Sequence, residues 1–367
     1  MSNKLLIHLI QENAENYKQF LRNKSGILLT IFGLSVLAVC TLTSIRPEHS
    51  LSIAAKSVVV AAGDSWPWKD DHASHSESSL YDLPSPFYLH YIRFSPLKLR
   101  FVDYLSIMSG VQYLKPDGIL IHGDVAPSGE YWDKLVAQKL VRHVLRNKTV
   151  AVGQRLGRPK KVAFMEHSAD LAKLDVLLEY GGIAIDFDVF FVRGERVKRI
   201  LQQKKALVCY GDIDGNNIGF VGAHKDSKYL SAWRQSYRDI YVADWNFNQC
   251  MVGRYLSIVF KEEVYSADQI CNNPHPDGGE MGDYFHGYGK ILWKQSIAIH
   301  SFERLGRVPI DSPKDLESGN MTTQKELLLS VYKNSTLPPV DLSFRDEVDP
   351  VTNALTNRTV QQFYDHP

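Results

Sequence analysis

From Phe87 to Arg193 the chain alternates short apolar runs with stretches of helical period. "FYLHYIRF" reads as a strand, "RFVDYLSIMSGVQYL" as a helix and "GILIHGD" as a strand closing on a polar turn. A helix over "YWDKLVAQKLVRHVL", a short strand "KVAFM", a helix "SADLAKLDVLLEY" and a strand "GIAIDFDVFFV" follow. Strand and helix in rotation predict an α/β domain around a mostly parallel central sheet, with binding loops gathered at the strand C-termini. With 44% hydrophobic residues, the 367-residue chain holds enough apolar material for one large core or two modest ones. Its 42 basic and 41 acidic residues leave a formal charge of +1 and form no basic stripe, which excludes nucleic acid as a partner.

The last of these strands poses a physical problem. "YGGIAIDFDVFFVR" places Asp186 and Asp188 inside an apolar run, two apart and therefore on one face of a strand. Two carboxylates so close raise each other's pKa, and burial raises it further. A divalent cation removes both penalties, and paired carboxylates are oxygen donors suited to Mg²⁺ or Mn²⁺. Such an ion would in turn neutralise phosphate oxygens. The D-x-D pattern alone arises by chance about once in a chain of this size. A second instance, Asp212-Ile213-Asp214, sits beside Gly and Asn and reads as a turn. The first stands apart by its context. Leu171, Leu174 and Leu178 give a helix a core face that Gly181-Gly182 ends. Asp170 and Lys173, three apart, share a face of that helix, either as a solvated ion pair or aimed into the cleft.

Asp170, Lys173, Leu177, Gly181, Gly182, Ile183, Asp186 and Asp188 resemble, at matching spacings, the signature S-D-x-x-R-x-x-x-L-x-x-x-G-G-I-Y-x-D-x-D. That signature belongs to the glycosyltransferase family defined by a DXD-containing sugar-binding region, similar to α-1,4-galactosyl- and N-acetylglucosaminyltransferases. "LHYIRF", "YLSIMSG", "ILIHGDVAPSGEYWDKL", "NNIGFVGAHKDS" and "AIHSF" resemble its other landmarks, over roughly residues 86–305. The resemblance implies an A-type nucleotide-diphospho-sugar transferase fold that uses Mn²⁺ (or Mg²⁺) and retains the anomeric configuration. It implies Asp188 as a direct metal ligand and Asp186 as a bridge between ribose and metal, the catalytic pair. Asp170 and Lys173 match positions that hold the donor sugar's hydroxyls, and Asn217 lines the donor or acceptor pocket. His300 approaches the metal or diphosphate, or is structural. His90 and Tyr91 either flank the nucleotide base or belong to the core. Two departures are Lys173 for the usual arginine, which loses a bidentate fork, and Ala184 for the usual tyrosine. The segment "NFNQCMVGRY" also lacks the family's Gly-Pro element.

Residues 26–45, "GILLTIFGLSVLAVCTLTSI", carry no charge over about one bilayer core of helix. Lys18, Arg22 and Lys24 precede the run, so the positive-inside rule sets residues 1–25 in the cytosol and the body in the lumen. A cleaved signal peptide is the rival, with a shorter apolar region and leader than these. The expectation is a single-pass type II Golgi protein: an anchor at 26–45, a stem at 46–85, a catalytic domain at 86–310 and a C-terminal extension at 311–367. The stem's His72 and His75 read as part of a solvated linker. Sequons at Asn147, Asn320, Asn334 and Asn357 agree with a luminal body, whereas Asn23 would face the cytosol. Cys250 and Cys271 can pair, Cys209 in "ALVCY" reads as a buried thiol, and Cys40 falls in the anchor.

The functional expectation is a metal-assisted hexosyltransferase that moves a sugar from a nucleotide-sugar donor, UDP-linked, to a glycan or glycolipid. The alternatives are a glycan- or nucleotide-sugar-binding protein of the same fold without turnover, and a luminal metal-dependent phosphoesterase.

Overall fold

The computed structural model describes residues 80–153, 159–210, 215–267, 274, 279–291, 293–306 and 308–338. Its strands are β1 (Tyr88–Ile92), β2 (Gly118–Gly123), β3 (Arg142–Leu145), β4 (Ala151–Val152), β5 (Lys160–Lys161) and β6 (Gly182–Ile185). They continue with β7 (Val189–Phe191), β8 (Ala206–Tyr210), β9 (Asn216–Ala223), β10 (Val264–Ala267) and β11 (Ala298–His300). The helices are α1 (Phe101–Ser109), α2 (Glu130–Ala137), α3 (Met165–Tyr180), α4 (Gly194–Gln203) and α5 (Lys228–Ile240). After them come α6 (Val252–Val259), α7 (Glu280–Phe285), α8 (Glu303–Gly306), α9 (Pro313–Glu317) and α10 (Thr323–Tyr332).

Seven strands form one sheet in the order β10-β8-β9-β6-β1-β2-β3. β3, β2, β1 and β6 run parallel, as do β8 and β10, and only β9 opposes its neighbours. The mostly parallel α/β sheet expected from the alternating pattern is therefore present. Its strands are covered on both faces, which is why β2 can be the unbroken run "GILIHG", buried throughout. Period-two alternation divides the apolar side chains between two cores. Leu89, Tyr91, Ile183, Ile185 and Leu207 face one core, shared with α1, α4 and α10. Ile92, Ala184, Ala206 and Val208 face the other, where α3 and α5 pack.

Helix α3 is enclosed between sheet and α5, so its Leu171, Leu174 and Leu177 are sealed and Leu178 lies at the margin. Gly182 ends the turn after α3 at φ +100°; a Cβ there would lie 2.2 Å from the Tyr88 carbonyl oxygen. Only glycine lets β6 enter the sheet this close to β1.

Several local expectations are corrected. "YWDKLVAQKLVRHVL" is two elements: α2 stops before Lys139, which adopts φ +56°, and β3 then pairs with β2. "KVAFM" is mostly loop; β5 supplies only Lys160 and Lys161 to a two-stranded ribbon with β4, and Met165 already opens α3. "GIAIDFDVFFV" is not one strand. β6 ends at Ile185, residues 186–188 turn, and β7 leaves to pair antiparallel with β11 in a separate two-stranded sheet. Cys250 forms no disulfide, so it does not pair with Cys271; Cys209, read from the sequence as a buried thiol, is instead disulfide-bonded. Cys209 points from β8 into the first core, whereas Cys250 lies on the wide turn Phe247–Met251 beside the second. Residues 311–338 include α9 and α10, whose Leu316, Leu327, Leu328 and Val331 complete the first core.

The apolar run at 26–45, the stem histidines, Asp212, Asp214 and the Asn357 sequon lie outside the described residues. Among the described residues no helix is long and apolar enough to cross a membrane. Asn147, Asn320 and Asn334 are all exposed, as glycan attachment requires.

Candidate functional site

The site forms where β6 ends, between β1 and β9, at the edge where the parallel run of the sheet gives way. Ligands of open α/β sheets bind at such crevices, outside the carboxyl ends of the strands. The last rung is the Asp186 N–H, which donates to the Gly219 carbonyl of β9 at 2.9 Å. The Val189 N–H then donates to the Asp186 carbonyl at 3.2 Å and closes the turn. Phe187, at the middle of that turn, packs on the Tyr91 ring with centroids 4.7 Å apart. The two aspartates are thereby released from the strand into a half-buried turn, and their proximity comes from the turn rather than from strand alternation.

β11 brings the third group. Its pairing with β7 sets His300 opposite Val189, and His300 Nε2 stands 3.2 Å from Asp188 Oδ1. One ligand atom each from Asp186, Asp188 and His300 fall within 4.8 Å of one another. Asp188 is fixed on its other side as well: the Glu303 N–H donates to Asp188 Oδ2 at 3.2 Å, and the Ser301 N–H donates to the Asp188 carbonyl at 2.9 Å. Burial pushes the Asp188 carboxyl up, but His300 and the Glu303 N–H outweigh it and hold the pKa down at about 2.

Behind the turn lies an ion pair carried by α3. Lys173 is buried; its Nζ lies 2.6 Å from Asp186 Oδ1 and 3.7 Å from Asp170 Oδ1, and it donates to the Ile218 carbonyl at 3.2 Å. Burial opposes the ammonium charge, yet the two carboxylates outweigh it and raise the Lys173 pKa. The solvated ion pair admitted by the sequence is thus excluded. Asp170 is buried too, and its Oδ2 has no hydrogen-bond partner. Burial, against the pull of Lys173, lifts its pKa to about 7.

Asn217, on β9, donates from Nδ2 to His300 Nδ1 at 3.0 Å and accepts the Gly219 N–H on Oδ1 at 2.6 Å. Gly219 is the floor of the site: a Cβ there would meet His300 Cε1 at 2.5 Å, Asn217 Oδ1 at 2.7 Å and Asp186 Oδ2 at 2.8 Å. The predicted residues Asp170, Lys173, Asp186, Asp188, Asn217 and His300 therefore converge. His90 and Tyr91 do not line the site. Both are fully enclosed; His90 bonds His122 and the Gly181 carbonyl, and the Tyr91 hydroxyl meets Ser106 at 3.1 Å. Of the two readings left open for them, the structure favours the core.

Two contributors were missed. Gly219 and Glu303 act through backbone and packing; Gly219 lay inside the landmark stretch "NNIGFVGAHKDS", whereas Glu303 falls one residue beyond "AIHSF". The Glu303 carboxylate, raised in pKa by burial although Arg100 lowers it, pairs with Arg100 Nη1 at 2.8 Å.

No protein-family profile matches the chain. A curated relative, glucan organizing enzyme 1 of Cryptococcus neoformans var. grubii, is 32% identical over 97 residues, which are 26% of this chain and 24% of the relative. The chain thus spans about a quarter of the length of that relative. Solved structures with similarity to this chain include the glycosyltransferase GlyE of Streptococcus pneumoniae TIGR4, 11% identical, with a TM-score of 0.38 over 67% of this chain and 59% of that one. They also include the galactosyltransferase LgtC in complex with donor and acceptor sugar analogues, 14% identical, with a TM-score of 0.35 over 69% of this chain and 98% of that one. The PaToxG glycosyltransferase is similar at 14% identity and a TM-score of 0.32, over 67% of this chain and 85% of that one.

Proposed function

We propose that this chain is a metal-assisted glycosyltransferase. It would take a sugar from a nucleotide-sugar donor, UDP-linked, and pass it to a glycan or glycolipid with retention of configuration. The observation that carries the reading is the convergence of Asp186, Asp188 and His300 on one point at the end of β6, with the Lys173–Asp170 pair behind it.

The donor set fits a divalent ion. Two carboxylates and an imidazole suit Mn²⁺ ahead of Ca²⁺, and the bare floor at Gly219 leaves them free of a competing side chain. Asp186 and Asp188 would hold the ion, with His300 at the third corner. When bound, such an ion supplies positive charge where a departing diphosphate develops negative charge. The chain's own residues prepare that event. Lys173 orients Asp186 from below without facing water, and the Glu303 N–H and His300 fix both oxygens of Asp188.

The apolar run at 26–45 with its basic flank, and the exposed sequon asparagines, support a type II Golgi anchor with a luminal body. One observation favours the second reading, a binding protein without turnover: Lys173 already engages Asp186 Oδ1 at 2.6 Å, in the place where the related signature carries arginine.

The test incubates the purified full chain with a panel of nucleotide sugars, in Mn²⁺ or in EDTA, and reads released nucleoside diphosphate. The expected outcome is release from one donor, abolished by EDTA and reduced at least ~1,000-fold in D188A, which should fold normally. Binding of a nucleotide sugar without release, with or without acceptors, would establish the second reading. Normal release by folded D188A would refute the assignment.

A further inference from the structure

We propose that Arg100, at the start of α1, is a positioning residue for the metal centre: it grips the Glu303 carboxylate and thereby holds the turn whose N–H groups fix Asp188. The inference rests on the reading of Asp186 and Asp188 as metal carboxylates.

The segment after β11 carries backbone strain. Phe302 adopts φ +46°, a left-handed conformation that an aromatic residue rarely takes. It turns the chain so that the Ser301 N–H donates to the Asp188 carbonyl at 2.9 Å and the Glu303 N–H to Asp188 Oδ2 at 3.2 Å. The Ser301 hydroxyl adds a second bond to the same carbonyl at 3.1 Å. Such a backbone persists only where its surroundings over-determine it. On one side the Phe302 ring stacks on His300, with centroids 3.9 Å apart. On the other the restraint is the Glu303 carboxylate, which meets Arg100 Nη1 at 2.8 Å.

Arg100 is itself fixed firmly enough to anchor that turn. Its Nε and Nη2 close on the two oxygens of Asp103 at 3.0 and 2.5 Å, a bidentate pair that leaves Nη1 for Glu303. Capping of α1 does not need this guanidinium, because Asp103 Oδ2 accepts the Arg100 backbone N–H at 2.9 Å. From α1 the Ser106 hydroxyl donates to the Val189 carbonyl at 2.6 Å, and the Ser109 hydroxyl accepts the Phe191 N–H at 2.9 Å. One helix thus holds β7, which leaves the aspartate turn, and through Arg100 it also holds the segment that follows β11. Loss of the guanidinium frees the Phe302 turn to relax, withdraws the Glu303 N–H from Asp188 and leaves one oxygen of that carboxylate unfixed.

R100Q tests this by the sign of its effect. If Arg100 acted only through its charge, removing that charge near a cation site would tighten the cation. A loosened Asp188 weakens it instead. Mn²⁺ alone is titrated into the full chain and into its variants by calorimetry, and affinity should fall ~10-fold or more in folded R100Q. E303A breaks the same link from its other end, so the losses in R100Q and E303A should not add in the double variant. Unchanged or tighter Mn²⁺ in folded R100Q, or losses that add, overturns the proposal and leaves the metal reading standing. A wild-type chain that binds no Mn²⁺ overturns the metal reading and the positioning role with it. If R100Q does not fold, R100K decides, because it keeps the charge and loses the fork that spans both carboxylates. Affinity weakened ~5-fold in R100K supports the role, and wild-type affinity overturns it.

Discussion

Two polar clusters are built into neighbouring strands of the same sheet, and they end as opposites. His90 on β1 lies beside Ala184 of β6, only two residues before Asp186. The first cluster is His90 and His122, joined at 3.0 Å, with Tyr180 over both rings and no exposure to water. The second is Asp186, Asp188 and His300 with the Lys173 pair, and the Asp186 side chain is 40% exposed. Burial, against the pull of the Gly181 carbonyl, holds His90 at a pKa of about 4, and burial and the neighbouring His90 drive His122 well below its ordinary value, so both rings stay neutral. Neutral groups can be sealed at the cost of a single orphan, the unpartnered His122 Nδ1. Charges are sealed only where they pair, as Lys173 does, and the Asp186 carboxylate sits where a strand ends and keeps an opening. The opening, more than the residue types, separates a site from a structural network.

The largest effect expected to break this contrast comes from K173A. Removing the ammonium leaves Asp170 and Asp186 without their shared counter-charge, and unpairing a buried ion typically costs about 3–5 kcal/mol. Denaturant unfolding should show that loss. A change below about 1 kcal/mol would mean that Asp170 is protonated in the resting protein and the pair contributes little.

The pH dependence of stability should separate the clusters by sign. His90 has its folded pKa depressed from 6.5 to about 4. Its contribution is fully present above pH 6.5 and is lost as pH falls through that window, by about 1.4 kcal/mol per unit. Asp170 is raised from 3.8 to about 7, so its contribution is present below pH 3.8 and is lost as pH rises through about 7. Between the two the slopes oppose. Unfolding free energies at pH 4.5 and 6.5 should fall more steeply toward acid in D170N than in wild type. In H90Q the acid-side loss should shrink. Identical profiles in all three would erase the distinction.

The smallest effects sharpen the contrast by function. G219A places a methyl against His300 and Asp186 and should weaken Mn²⁺ binding ~10-fold or more, measured by calorimetry. H122L leaves His90 Nδ1 unpartnered and should cost about 1–2 kcal/mol of stability while Mn²⁺ affinity stays unchanged. If H122L also weakened the metal, the two clusters would be one.

The sequence made the sheet and the site legible to different depths. The alternation of apolar runs announced the parallel strands because covered strands must be apolar on both faces. Gly181-Gly182 and the spacing of Asp170, Lys173, Asp186 and Asp188 announced the site. The break at Asp186 was not legible, since "IDFDVFF" contains neither Gly nor Pro and its aspartates sit in an apolar run; it is imposed from outside by the Gly219 carbonyl and by β11 pairing with β7. The span "LVRHVL" was misread as helix because its strand character is decided by the edge of β2. The burial of His90 and Tyr91 was equally silent, because a histidine or tyrosine in a strand reads the same whether it meets a ligand or another ring. α10 did leave a signal: Leu327, Leu328 and Val331 recur at helical spacing within a polar tail.

That last helix also sets the order in which the protein can be finished. α10 rests on α1, and Gln112 Nε2 donates to the Val331 carbonyl at 2.8 Å across 219 residues of chain. As the polypeptide leaves the ribosome, the first helix of the domain waits, its apolar side uncovered, until nearly all the rest has been made. A chain interrupted before Thr323 would carry every residue of the site and still leave part of the first core uncovered, so the C-terminal segment is the last piece to close it.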